Sequence, residues 1–149
     1  MKVSKRVTYG IMAAVDLAIN ATESPIQARA IARRQGIPIR FLEQVLHALK
    51  NADVVQSHRG AQGGYLLSRG PAQISIADIL EALEGPLFHR STVYQGVRDR
   101  SATKPDLLLG DVWEQVQQAE RKVLEGITVE QLATHQRTLD AQQNPMYHI

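Results

Sequence analysis

Apolar residues recur at helical spacing from the start of the chain. Val7, Ile11, Ala14, Val15 and Ala18 predict a helix from about Ser4 to Asn20, ended by Thr22-Glu23-Ser24-Pro25. A short alanine-rich helix follows from about Ala28 to Gln35, stopped by Gly36, and Gly36-Ile37-Pro38 makes a tight turn. The third helix, about Ile39 to Ala52, carries Ile39, Leu42, Val45, Leu46 and Leu49 on one face. Arg40, Glu43, Gln44, His47 and Lys50 lie on the other.

The period then changes from helical to extended. Val54–His58 and Tyr65–Ser68 are joined by Arg59-Gly60-Ala61-Gln62-Gly63-Gly64, whose three glycines permit the positive φ angles of a hairpin. Ser75-Ile76-Ala77-Asp78 resembles a capping box opening a fourth helix to about Glu84, which Gly85-Pro86 ends. Residues 85–105 show no clear period and read as a long loop. Pro105-Asp106 opens a long helix to about Glu125, and Thr128-Val129-Glu130-Gln131 is a second capping box that starts a short last helix.

In that long helix Leu109, Val112, Val116, Ala119 and Val123 step by 3, 4, 3 and 4, a coiled-coil-like stripe. A small domain cannot bury such a stripe alone, so a second subunit is the expected cover. Packing against the chain's own first and last helices is the competing arrangement. Trp113 belongs either to this seam or to the core. The expected organisation is a helix-and-hairpin unit over 1–84, a loop over 85–105, a dimerisation helix with a short terminal helix over 106–135, and a flexible tail over 136–149.

Composition narrows the function. The chain has 149 residues and no cysteine, which removes disulfides, cysteine nucleophiles and every thiolate-held zinc or iron–sulfur site. No apolar run approaches the roughly 20 residues that span a bilayer, and the basic start lacks the pattern of a signal peptide, so a cytoplasmic location without membrane contact is expected. Charge is unevenly placed. Residues 1–70 hold ten Lys/Arg against four Asp/Glu, and residues 71–149 hold seven against eleven, as expected if one end meets a polyanion. No Gly-x-Ser-x-Gly, phosphate loop, His-Glu-x-x-His or paired-carboxylate arrangement occurs, so no enzyme is expected.

Two short helices joined by a Gly-containing turn, then a hairpin with a basic, glycine-rich tip, describe a mainly α winged helix-turn-helix with a small two-stranded β-wing. Arg40, Glu43, Gln44 and His47 are long polar side chains able to reach base edges in a major groove. His58, Arg59 and Gln62 at the wing tip suit a minor groove. Ser4, Lys5, Arg6, Tyr9, Arg33, Arg34 and Lys50 are candidate phosphate contacts. The seam residues Leu109, Val112, Trp113, Val116, Ala119 and Val123 would join two copies, whose paired recognition helices suit a palindrome.

Over about residues 1–135 the chain resembles the Rrf-type regulators, the family of the iron–sulfur cluster regulator IscR and the nitric oxide sensor NsrR. The resemblance rests on Tyr9-Gly10-Ile11, Ile31-Ala32, Gly36-Ile37-Pro38 and Phe41-Leu42-Glu43-Gln44. It rests further on Ile74-Ser75-Ile76-Ala77-Asp78-Ile79 and, most specifically, on Arg59-Gly60-Ala61-Gln62-Gly63-Gly64-Tyr65-Leu66-Leu67. It implies base reading by Glu43 and Gln44 and a minor-groove arginine at Arg59, in a dimeric protein that represses or activates nearby genes.

The chain departs from the family where many members hold a cluster. Leu107 and Gly110 stand where the cluster regulator would supply a cysteine and a histidine, judged by distance from Trp113, so no cofactor is expected. The five histidines, His47, His58, His89, His135 and His148, include no pair at i, i+3 or i+4, and no metal site is expected from them. An unknown small molecule or protein contacting residues 87–105, where Arg90, Arg98 and Arg100 lie near His89 and Asp99, is the expected effector if one exists. A protein–protein adaptor that kept the fold but lost DNA binding is the competing function.

Overall fold

The computed structural model describes residues 3–21, 23–85 and 103–143. Helix α1 spans Lys5–Asn20, α2 Ala28–Gln35 and α3 Ile39–Asn51. Strands β1 (Val55–His58) and β2 (Gly64–Leu67) pair antiparallel with Val55 opposite Leu67 and His58 opposite Gly64. A 3₁₀ turn at Pro71–Gln73, which the sequence did not suggest, leads into α4 (Ile76–Glu84). Helix α5 spans Lys104–Gly126 and α6 spans Val129–Gln143. The segment 85–105 that was expected to be a loop falls largely outside the described residues.

The core gathers one stripe from each helix. Leu17 of α1, Ile31 of α2, Leu42, Leu46 and Leu49 of α3, and Ile79 of α4 are fully buried with Val54, Ile74 and Val129. Each such aliphatic side chain contributes roughly 1.5–3 kcal/mol by leaving water. An eight-residue helix such as α2 is not stable alone, so burial of Ile31 and Ala32 is what holds it. Gly10 lets α1 meet α4 closely: a Cβ there would lie 2.4 Å from Leu83 Cδ1. The helix-turn-helix is closed at Gly36, which takes the left-handed conformation at φ 67°.

Capping side chains set where the helices begin. Ser4 accepts from the Val7 N–H at 3.2 Å. Ser75 accepts from the Asp78 N–H at 3.1 Å while Asp78 accepts from the Ser75 N–H at 2.9 Å. Helix α5 begins with the same reciprocal pair, Thr103 with Asp106, one residue ahead of the expected Pro105-Asp106 start. Thr128 and Gln131 repeat it at α6, as the sequence indicated.

The last helix corrects an expectation. A short helix with a flexible tail from 136 was expected, yet α6 continues to Gln143. Its start is anchored where Ser75 and Thr128 form an antiparallel bridge, with the Ile76 N–H donating to Ile127 O at 2.9 Å and the Val129 N–H to Ile74 O at 2.9 Å. That anchor turns α6 back onto α1 and the 3₁₀ turn, and buries Val129 and Ala133.

Candidate nucleic-acid interface

Helix α3 lies with Leu42, Val45, Leu46 and Leu49 buried, which leaves Arg40, Glu43, Gln44, His47 and Lys50 exposed on the opposite side. The Tyr9 and Phe41 rings meet edge to face at 5.3 Å and fix α3 against α1. Within this outer row the Asn51 amide lies 3.2 Å from His47 Nε2. The wing leaves His58, Arg59 and Gln62 exposed at its tip.

A backbone bridge positions the wing. Ile26, just before α2, pairs with Tyr65 of β2: the Ile26 N–H donates to Tyr65 O at 3.0 Å, and the Ile26 carbonyl accepts in return from the Tyr65 N–H at 2.8 Å. Gly64 makes this approach feasible, because a Cβ there would lie 2.4 Å from the Ile26 carbonyl. Gly60 and Gly64 take the positive φ angles expected of the tip. Gly63 does not; its lack of a side chain leaves room for His58 O, 2.2 Å from where a Cβ would stand.

The bridge creates an open groove of about 460 Å³ between α3 and the wing, lined among others by Glu43, His58 and Arg59. It also brings in Gln27 and Arg29 from the start of α2, which sequence reasoning missed. Only their polarity was visible there; their place depends on the Ile26–Tyr65 pairing, which no local pattern announces. Ile39 lines the groove too, at 38% exposure, and so is not the core residue that helical spacing suggested.

Two expected phosphate contacts are otherwise engaged. Arg34 Nε and Nη2 donate to the Asp16 carboxylate at 2.9 and 2.7 Å, and Gln35 Nε2 donates to Asp16 Oδ2 at 2.9 Å. Asp16 is fully buried, so this paired edge of Arg34 serves the α1–α2 contact. The hydrogen bonds to Asp16 raise the Arg34 pKa further above its ordinary value. The Ser4 hydroxyl donates to Glu84 Oε1 while capping α1. Lys5, Arg33 and Lys50 remain exposed, and Arg6 and Tyr9 are partly buried at the same end of α1.

Away from the groove, Leu109, Val112, Trp113, Val116 and Val123 of α5 are between 42% and 59% exposed, and Ala119 is exposed with them. Of the 23 residues of α5 only Gly110 is buried. The stripe is therefore not covered by α1 or α6, and Trp113 is not a core residue. Val116, Ala119, Val123 and Leu124 border an apolar trough of about 380 Å³ on this helix.

The Rrf2 family profile, described as an iron-dependent transcriptional regulator, matches residues 3–135. The HTH-type transcriptional regulator CymR of Bacillus subtilis (strain 168) is 33% identical over 135 residues, covering 91% of each sequence. The structure of CymR, described as the global cysteine regulator of B. subtilis, superposes with a TM-score of 0.76 at 31% identity, over 91% of this chain and 98% of that one. The structure of T. potens IscR gives a TM-score of 0.69 at 36% identity, over 91% of this chain and 88% of its own.

The donors of this chain do not fit the iron site that such a family description implies. There is no thiolate anywhere in the sequence. Among the described residues no three His, Asp or Glu side chains gather as a metal would need. At the start of α5 the Asp106 carboxylate is engaged by Thr103, Leu107 is exposed, and Gly110 has no side chain to offer. His89, Asp99 and His148 lie outside the described residues.

Proposed function

The chain belongs to the Rrf2 family; it is a winged helix-turn-helix DNA-binding transcriptional regulator without a cysteine-ligated iron–sulfur cluster, and we propose that it reads a palindromic operator as a homodimer. The observation that carries the reading is the groove whose lining joins Glu43 of α3 and Arg59 of the wing. A recognition helix and a basic wing held at fixed separation can address a major groove and the adjoining minor groove together. Glu43 accepts from a cytosine amino group, and Arg40 and Gln44 on the same exposed row make bidentate contacts to guanine and adenine. Lys5, Arg33 and Lys50 supply charge for phosphates, joined by Arg6, Tyr9 and Arg29.

The uncovered stripe of α5 supplies the dimer contact: a second copy of the same helix buries it and places two recognition helices about a two-fold axis. Half-sites then fall about one duplex turn, roughly 34–36 Å, or a multiple apart. Residues 87–105 are assigned to an effector, a small molecule or a protein, and the cytoplasm is the compartment that a DNA target implies.

Anisotropy titration against genomic promoter fragments at two salt concentrations tests the proposal. The expected result is tight binding to particular fragments, with affinity falling by orders of magnitude between about 50 and 200 mM salt. Glu43→Ala is expected to relax site preference with little change in nonspecific binding, and Arg59→Ala to weaken binding overall. Equal, salt-insensitive binding to every fragment would sink the proposal in favour of an adaptor.

A further inference from the structure

Ile39 is out of keeping with its surroundings. It opens α3 directly after Pro38, it is 38% exposed, and the groove it lines with Ala28 and Tyr65 also carries the polar and charged Gln27, Arg29, Glu43, His58 and Arg59. The fully buried stripe of the same helix begins at Leu42, with Phe41 packed partly against the core before it. The part of this branched aliphatic side chain that still meets water gains nothing until something apolar covers it. The charges around it select a polyanion. The one apolar group that duplex DNA offers in its major groove is the thymine C5-methyl.

We propose that Ile39 is a specificity-determining residue that packs on a thymine methyl. The proposal rests on the DNA-binding reading given above. The N-terminal residues of a recognition helix are those that reach base edges, and Ile39 is the first residue of α3. Positions i and i+4 of a helix place their Cβ atoms about 5–6 Å apart, so Ile39 and Glu43 lie over base pairs no more than about two steps apart. The operator therefore carries a thymine within two base pairs of the cytosine that Glu43 contacts. Sequence reasoning passed over this because the 3.6-residue period assigned Ile39 to the core.

Uracil substitution isolates the methyl, since deoxyuridine keeps every hydrogen-bonding group of thymine. The preferred duplex is first selected from a randomised pool with the full-length protein, and the Glu43-dependent base is located with Glu43→Ala. Each thymine of a half-site is then replaced by deoxyuridine, and affinity is measured for the native protein and for Ile39→Ala, with thermal unfolding as a control of folding. The expected result is an affinity loss of about four-fold, the value of one buried methyl group, at a single thymine within two base pairs of the Glu43 site. Ile39→Ala is expected to bind the thymine and uracil duplexes equally while keeping the native salt dependence. Tolerance of uracil throughout that window, or an equal loss in Ile39→Ala, overturns the methyl contact and leaves DNA binding intact. Failure to select any sequence overturns the DNA-binding reading and the methyl contact with it.

Discussion

Asp16 is fully buried, and its carboxylate accepts three hydrogen bonds, two from Arg34 and one from Gln35. The two ends of this pair are not equivalent. The Arg34 side chain is 40% exposed and can turn toward water if Asp16 is removed, whereas Asp16 has nowhere to go if Arg34 is removed. Arg34→Ala should therefore destabilise by roughly 3–5 kcal/mol, the cost of an unpaired buried charge. Asp16→Ala should cost roughly 1–3 kcal/mol, nearer that of lost hydrogen bonds. Urea midpoints of the two variants compare the costs directly, and an Asp16→Ala loss equal to or above that of Arg34→Ala would contradict the argument. The same pair explains why sequence reasoning set Arg34 on a phosphate: an arginine beside another on a short helix reads as surface charge, and its acidic partner stands 18 residues away.

Helix boundaries were legible because they are written in neighbouring side chains: Ser75 with Asp78, Thr128 with Gln131, and Gly36 after α2 all lie where their hydrogen bonds form. What was not legible depends on distant chain. The extension of α6 to Gln143 has weak amphipathic patterning, and the docking of its first turns follows from the distant Ser75–Thr128 bridge. Arg29 enters the groove only through the Ile26–Tyr65 bridge. The outer face of α3 was readable from its period except at Ile39, where the helix end lies beyond the reach of the core. The cap of α5 makes a prediction of its own. The Thr103 hydroxyl, donating at 2.6 Å, and the Thr103 N–H, at 2.9 Å, hold the Asp106 carboxyl below its ordinary value of 3.8. Because folding favours the carboxylate, the cap is at full strength above that value and is lost as pH falls through the lowered one. Protection of the Asp106 and Leu107 amides, measured against the intrinsic exchange rate at each pH, should fall in that acid window, and Thr103→Ala should remove this loss of protection. Unchanged protection in the native chain through the same window would count against the cap.

At the scale of the whole molecule, a 23-residue helix reaches roughly 35 Å, and α5 has one buried residue along that length. Val116 sits at the middle of its exposed stripe. Val116→Glu should leave secondary structure intact, convert the protein to monomers at micromolar concentration in sedimentation, and weaken binding to a palindrome by at least about ten-fold relative to a half-site, a coupling of about 1.4 kcal/mol. A dimer that survives the substitution would place the contact elsewhere. Within each protomer the Ile26–Tyr65 bridge ties the hairpin to the start of the first helix of the reading pair, so the hairpin is docked before any duplex arrives. A hairpin already ordered has no folding step to complete on the DNA. Calorimetry should accordingly find a heat-capacity change of association set by the contact area alone, without the excess that marks a segment folding as it binds.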